Sequence, residues 1–207
     1  MNPFTHTLLC CALLFLTLKE LTEACSCVPS HPQQQFCDAD IVFRAKVTGE
    51  KGRPTDPMQS STVQYLIKVL KVFKGFEKGN IHSVYTASQS ATCGITLELK
   101  KEYLIAGHFQ NGNVHISLCG LVTPWDTLSQ FQIKMLTQTD VGYLQGCLCK
   151  IKNCARESCN IHERNVCHWP DSKNMIRDTE HACIKKRDGS CSWHPALPDK
   201  SEFNTHP

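Results

Sequence analysis

Several short stretches in the first half of the chain alternate between apolar and polar positions. In residues 41–47 the odd positions are apolar and Arg44 and Lys46 lie between them, which is the two-residue period of a half-buried strand. Residues 63–69 repeat this alternation, and residues 81–86 contain a shorter version of it. These three stretches are therefore predicted to be strands.

Two further strands are predicted on either side of a tight turn. Asn111 and Gly112 separate the apolar-rich residues 103–110 from residues 113–118. Both turn residues tolerate a positive φ, so the segment favours a β-hairpin. The five predicted strands, with helices beside them, indicate a mainly β fold. The OB-fold barrel is the common closed form with five strands.

Two helices are predicted to flank these strands. Ser30 lies three residues before Gln33, with a proline in the first turn, so a capped helix is expected to run toward Cys37. Asp126 or Thr127 is expected to cap a second helix. The apolar face of this second helix consists of Leu128, Phe131 and Met135.

The character of the chain changes near residue 147. Cysteines are sparse before this point, and Gly142 and Gly146 interrupt the chain just ahead of it. Seven cysteines then follow with little apolar periodicity. We therefore predict a barrel domain over residues 25–148 and a small disulfide-rich domain over residues 149–207.

Residues 1–24 have the pattern of a secretory signal peptide. Residues 8–18 form an apolar run that suits a signal-peptide core and is too short to cross a bilayer. Thr22 and Ala24 suit a cleavage site before Cys25, although a buried N-terminal helix is the alternative. We expect cleavage at this bond, no membrane span in the rest of the chain, and a secreted, extracellular product.

The cysteine count agrees with export. Loss of the leader removes two of the 14 cysteines, and the even remainder favours six disulfides in an oxidising compartment. Zinc binding by Cys147, Cys149, Cys154 and Cys159 is a weaker alternative, because exported thiolates tend to pair with one another. A thiol–disulfide oxidoreductase is also disfavoured, since full pairing leaves no reactive thiol.

The remaining composition argues against an enzyme and against a nucleic-acid-binding protein. No zinc-protease, serine-hydrolase or phosphate-loop motif occurs, and 22 Lys plus Arg against 19 Asp plus Glu is only mildly basic. We expect His162 and His168 to be surface residues rather than metal ligands. Basic clusters form either an ordinary solvated surface or a contact for sulfated matrix polysaccharide. They comprise Lys68, Lys71, Lys74, Lys78, Lys185, Lys186 and Arg187.

The most specific motif opens the mature chain. Residues 25–33 fill every fixed position of the pattern Cys-x-Cys-x-Pro-x-His-Pro-Gln. This motif resembles the opening signature of the tissue inhibitors of metalloproteinases. The resemblance covers essentially the whole mature chain. It continues through residues 41–46, 73–76, 84–86, 93–94, 103–107, 124–126 and 188–193.

The resemblance implies a netrin-like OB-fold barrel and a cysteine pairing that the spacing alone does not supply. The implied pairs are Cys25–Cys93, Cys27–Cys119, Cys37–Cys147, Cys149–Cys191, Cys154–Cys159 and Cys167–Cys183.

The resemblance also implies a secreted inhibitor of zinc metalloendopeptidases, the matrix metalloproteinases, without enzymatic activity or a cofactor of its own. The α-amino nitrogen and carbonyl oxygen of mature Cys25 are implied to chelate the zinc of the partner protease. Ser26 is implied to point into the specificity pocket. The implied inhibitory residues are Cys25, Ser26, Cys27, Val28, Pro29, Ser90, Ala91 and Thr92.

Further partners differ among relatives. The implied complex is one monomer with one protease, and a progelatinase hemopexin-like domain or extracellular matrix is a further candidate partner. Residues 202–207 are less acidic than the tail that some relatives use for this docking, and residues 48–62 correspond to a loop that varies in the family. The alternative function is a netrin-like signalling or matrix-binding module that inhibits no protease.

Overall fold

The computed structural model describes residues 25–56, 61–75, 81–140, 142–154, 159, 163–169 and 177–195. The predicted leader, Lys78, His162 and the tail over residues 202–207 lie outside these ranges. The strands are β1 Ile41–Lys51, β2 Thr62–Lys74, β3 Ser83–Ala87, β4 Glu102–Gln110, β5 Asn113–His115, β6 Val122–Pro124, β7 Lys150–Asn153, β8 Val166–Trp169, β9 Ala182–Lys185 and β10 Cys191–His194. The helices are α1 Pro32–Asp38, α2 Gln130–Thr137 and α3 Tyr143–Gly146.

The first five strands close into a barrel. Their order is β1-β2-β3-β5-β4, and β4 pairs back onto β1 with Phe43 opposite Ile105. All neighbours are antiparallel except β3 and β5, which are parallel with Val84 opposite Val114. The predicted OB-fold barrel is therefore confirmed. The short strand β6, which was not predicted, adds to β4 outside the ring.

The barrel interior contains the apolar positions that the alternation predicted. The odd residues of β1 from 41 to 47 are fully buried, as are Val63 and Tyr65 of β2. Val42 is buried as well, but on the opposite face of the sheet, where it packs in a second cluster with Phe36 of α1 and Met135 of α2. The helices therefore cover one outer face of the barrel.

Two helix caps differ from those predicted. Helix α1 begins at Pro32 with His31 as its N-cap, because the His31 ring rather than the Ser30 hydroxyl accepts from the Gln33 N–H, at 3.2 Å. Helix α2 begins at Gln130, and Ser129 and Gln132 cap each other reciprocally. The predicted caps Asp126 and Thr127 lie in a preceding 3₁₀ turn, Trp125–Thr127. A Ser–x–x–Gln box outcompetes them because it satisfies two backbone groups at once.

The glycines near residue 147 do not simply interrupt the chain. Gly142 is the N-cap of the short helix α3, which ends at Gly146. A Cβ atom on Gly142 would lie 2.1 Å from the Gln138 carbonyl oxygen, so the close approach of two backbone segments requires glycine here.

The last third forms two small sheets, a parallel β7–β8 pair and an antiparallel β9–β10 pair. Gln33 of α1 joins this part to the barrel side: its side chain donates to the Cys183 carbonyl at 2.6 Å and accepts from the Cys183 N–H at 2.7 Å. The division into domains at residue 148 stays a prediction. Among the residues described, no helix is both long and apolar enough to span a bilayer.

Candidate functional site

Six disulfides tie the described chain together, and they are the six pairs that the resemblance implied. The alternative that Cys147, Cys149, Cys154 and Cys159 bind zinc is therefore wrong, because each of these four cysteines is in a disulfide. The pairs are Cys25–Cys93, Cys27–Cys119, Cys37–Cys147, Cys149–Cys191, Cys154–Cys159 and Cys167–Cys183.

Residues 25–29, which we call the N-terminal ridge, lie at the surface outside any helix or strand. Cys25 is half-buried and the next four residues are exposed, with Val28 at 71%. Within the part of the chain that the structure describes, no backbone hydrogen bond involves residues 25–28. The backbone groups of residues 25–28 are therefore not paired with the backbone of the rest of the described chain.

Two neighbouring disulfides hold the ridge. Cys25 is bonded to Cys93 and Cys27 to Cys119, and the Cys25 sulfur lies 3.5 Å from the Cys119 sulfur. The three sulfurs of Cys25, Cys27 and Cys119 lie close together, but as disulfide sulfurs they are not thiolate metal ligands. The sulfur atoms of the ridge are therefore not available as metal ligands.

A second exposed segment lies beside the ridge. Ser90, Ala91 and Thr92 form one 3₁₀ turn, and Cys93 follows in the left-handed conformation with φ of 62°. Gly94 fixes this turn, because its N–H donates to the Gln89 carbonyl at 2.9 Å and a Cβ atom there would lie 2.1 Å from the Ala87 carbonyl oxygen. The structure thus brings all the predicted inhibitory residues into two adjoining segments.

The base of the ridge is anchored from three directions. The Leu118 N–H donates to the Cys93 carbonyl at 2.8 Å, which ties the two disulfide-bonded segments together. The Gln35 side chain donates to the Cys119 carbonyl at 3.0 Å, and Asn153 of β7 donates to the Pro29 carbonyl at 2.5 Å. Such cross-links limit the conformational entropy that the ridge loses when it binds a partner.

His31 lies directly behind the ridge at the start of α1. Its side chain is 1% exposed, and its ring centre lies 5.6 Å from that of Trp169 and 5.2 Å from that of Trp193. Burial, with a smaller contribution from the charge of His181, lowers the pKa of His31 from 6.5 to about 4. The imidazole is therefore neutral at physiological pH.

Two site features were not predicted. Leu118 continues the alternation of Val114 and Ile116, so the pattern placed it inside a strand, but β5 ends at His115 and Leu118 is 47% exposed. A turn in which the Gly120 N–H donates to the Ser117 carbonyl follows at once. The anchor Asn153 carried no sequence signal, since its partner is far away in the chain.

His168 was predicted to be a surface residue, and this is only partly so. The residue is half-buried, and its Nε2 atom is inaccessible to solvent. The backbone carbonyl of His168 accepts from the Trp193 indole N–H at 3.2 Å. Its ring lies near the sulfurs of Cys154 and Cys159, which form a disulfide.

The fold and site define a disulfide-stapled OB-fold protein that displays an exposed, rigid N-terminal segment. The chain belongs to the tissue inhibitor of metalloproteinase family, whose model matches residues 23–193. Family membership agrees with the prediction that the chain is not an enzyme.

Curated relatives support this assignment. The chain is 45% identical to metalloproteinase inhibitor 2 of Bos taurus over 206 residues, which cover 93% of this chain and 92% of the relative. It is 45% identical to the protein of the same name from Homo sapiens over 204 residues, covering 92% and 91%. It is 39% identical to metalloproteinase inhibitor 3 of Scyliorhinus torazame over 202 residues, covering 93% and 92%.

Proposed function

We propose that this chain is a secreted inhibitor of zinc metalloendopeptidases of the matrix metalloproteinase class, and that the N-terminal ridge enters the protease active site. The observation that carries the proposal is the ridge itself: residues 26–29 are exposed, Cys25 is half-buried, and two disulfides fix their base. An exposed segment outside any strand can take an extended form in a protease cleft and bind there as a peptide substrate does.

Signal-peptide removal before Cys25 creates the reactive group. The α-amino nitrogen and the carbonyl oxygen of Cys25 are separated by two carbon atoms, so both can bind one metal ion in a five-membered ring. A catalytic zinc has three protein ligands and one position for water. Cys25 occupies that position with its two backbone atoms, so the protease has no water nucleophile.

The neighbouring side chains determine fit. Ser26 points into the specificity pocket, with its hydroxyl near the general-base carboxylate of the protease. Val28 and Pro29 continue along the cleft, and Pro29 donates no hydrogen bond and has a fixed φ. The turn at Ser90–Thr92, held beside the ridge by the Cys25–Cys93 disulfide, forms the second contact. One monomer binds one protease.

A second candidate function is binding to sulfated matrix polysaccharide, which the charge pattern on the barrel favours. In the β1–β2 pair, Lys46 lies opposite Lys68, whereas Arg44, which lies opposite Lys71, is already paired with Glu102. Like charges directly opposite each other destabilise a sheet, and a polyanion would relieve this repulsion. Lys74 does not belong to this surface, because its ammonium group donates to carbonyl oxygens at the end of α1. Proenzyme docking through the tail stays a prediction.

The decisive experiment adds one alanine ahead of Cys25. The extension converts the α-amine into an amide, which is a poor zinc ligand, so inhibition constants against a panel of matrix metalloproteinases should rise by at least 100-fold. A matched control carries the additional alanine after Pro207 and should inhibit like the native chain. Thermal unfolding should be the same for all three proteins.

Full inhibition by the extended form would contradict zinc chelation by Cys25. Loss of inhibition in both alanine variants would point to a folding defect instead. If neither the native chain nor the control inhibits any protease while both bind matrix polysaccharide, the netrin-like binding function is the correct one.

A further inference from the structure

Two histidines lie directly opposite each other at the end of the β4–β5 hairpin. His108 of β4 and His115 of β5 are register partners in an antiparallel pair. Residues in this relation have Cβ atoms about 5 Å apart and project to the same face of the sheet. Two imidazoles at this separation can reach a single metal ion between them.

A carboxylate lies beside the first histidine. The His108 Nδ1 atom lies 3.6 Å from the Asp40 Oδ2 atom. The same carboxylate oxygen accepts from the Phe109 N–H at 2.8 Å, so the position of Asp40 is itself fixed by the backbone of β4. Metal-binding histidines commonly direct one ring nitrogen at a carboxylate and use the other for the metal. In this arrangement the Nε2 atom of His108 is the metal ligand.

The second histidine is held by an aromatic ring. The His115 ring stacks on Tyr85 of the parallel strand β3, with ring centres 5.7 Å apart and an interplanar angle of 27°. His115 is half-buried, whereas the His108 side chain is 64% exposed. One histidine is therefore restrained by packing, while the other is accessible to solvent.

Both histidines line one surface cavity of roughly 360 Å³ between α1 and the hairpin. Asp38, Ser117 and Gln35 also line this cavity and have side-chain oxygen atoms. The cavity has room for an ion with bound water molecules, which a site with only two protein nitrogens requires. Imidazole nitrogen with oxygen and water suits Zn²⁺, Cu²⁺ and Ni²⁺.

We propose that His108 and His115 form a binding site for a divalent transition-metal ion, with Asp40 as the residue that positions His108. This site is separate from the ridge, which acts on the metal of another protein. The segment from Ile116 to Leu118 connects His115 directly to Cys119, so an ion bound here also restrains the chain that supports the ridge.

The test measures Zn²⁺ binding by isothermal titration calorimetry on the mature chain with its disulfides intact. The native protein should bind one equivalent at this site, and His108→Asn and His115→Asn should each weaken binding at least 10-fold, since loss of an outer-shell partner alone costs 10- to 100-fold. Asp40→Asn keeps an acceptor for the Phe109 N–H and should weaken binding about 10-fold.

His82→Asn is the matched control, because His82 is an exposed histidine just before β3 and outside the cavity. All variants are also measured with the N-terminal amine acetylated, so that zinc bound by the N-terminus does not contribute to the measured heat. Selective broadening of the His108 and His115 imidazole signals by Cu²⁺ in NMR spectra would locate the ion independently.

The proposal is overturned if the native chain binds Zn²⁺ no more tightly than about 1 mM. It is also overturned if both histidine variants and Asp40→Asn bind within twofold of the native chain, or if His82→Asn loses as much affinity as they do. None of these outcomes bears on protease inhibition, which is measured separately.

Discussion

His31 makes the stability of this protein depend on pH. Its Nδ1 atom accepts the Gln33 N–H at 3.2 Å as the N-cap of α1, so this nitrogen must be unprotonated in the folded state. The ring is buried between Trp169 and Trp193. Burial first, and the charge of His181 second, lower the pKa of His31 to about 4.

The sign of the effect follows from where each state takes up the proton. The unfolded chain protonates His31 near its ordinary value of 6.5, whereas the folded protein does so only near 4. Between these values the unfolded state binds more protons, so stability falls as the pH falls from about 6.5 to about 4. Each pH unit in this window costs about 1.4 kcal/mol, which makes the total loss roughly 3 kcal/mol.

A non-titrating variant isolates this contribution. In His31→Asn the amide oxygen can still cap the helix, but the side chain has no proton to gain. Urea unfolding of the mature, disulfide-bonded chain at several pH values between 4 and 7 gives the free energy of unfolding. From pH 7 to pH 4, the native chain should lose roughly 3 kcal/mol more than the variant. In thermal unfolding the corresponding difference is roughly 6–12 °C.

The exposed residue His82 supplies the control, since His82→Asn should keep the pH dependence of the native chain. An NMR titration provides a direct check, because the His31 ring signals should not shift until the pH approaches 4. If His31→Asn retains the same slope of stability against pH as the native chain, the argument from burial is refuted.

Two further substitutions test the supports of the site. Gly94→Ala would place a Cβ atom 2.1 Å from the Ala87 carbonyl oxygen. This variant should therefore lower the free energy of unfolding by about 1–3 kcal/mol and weaken protease inhibition. Gly120→Ala is the control and should change neither quantity, because the nearest atom to its Cβ atom would be 3.5 Å away. Lys74→Met should lower the free energy of unfolding in urea by about 1–3 kcal/mol, because it leaves carbonyl oxygens at the end of α1 without their donor. Lys68 is exposed, so Lys68→Met should change this free energy by no more than about 0.5 kcal/mol. Equal effects of the two members of either pair would contradict the reasoning.

The strands of the barrel could be predicted because their signal is local. Burial on one face imposes a two-residue period, and each of the five predicted stretches contains a strand of the barrel. The two-residue period is lost where both faces of a strand are covered. Val42 is apolar and buried although it lies among the outward positions of β1, because α1 and α2 pack there. The short strand β6 has too few residues to show a period at all.

The arrangement of the site could not be predicted from local patterns. The two ridge disulfides join residues separated by 68 and 92 positions, and many pairings of the same cysteines satisfy the spacing equally well. The pairing came only from resemblance to a family. The αL conformation of Cys93 is similarly hidden, since a non-glycine residue with positive φ depends on its surroundings rather than on its own preference.

The opening signature has two structural roles that its sequence does not separate. Residues 25–29 form the ridge, whereas the His-Pro-Gln-Gln-Gln segment behind them builds an anchor. Each polar residue of this anchor has a different distant partner: His31 packs against Trp169 and Trp193, Gln33 bonds to Cys183, Gln34 accepts from the Ile151 N–H, and Gln35 donates to the Cys119 carbonyl.

Helix α1 therefore joins the ridge, the barrel and the last third of the chain at one place. A seven-residue helix has little stability of its own, so its position depends on these tertiary contacts. Protonation of His31 acts on the first of them, immediately behind Pro29. Acid conditions that unfold this contact should consequently loosen the ridge before they open the barrel. Among the described residues, His31 is the one buried histidine, and no Asp, Glu, Lys or Arg is buried.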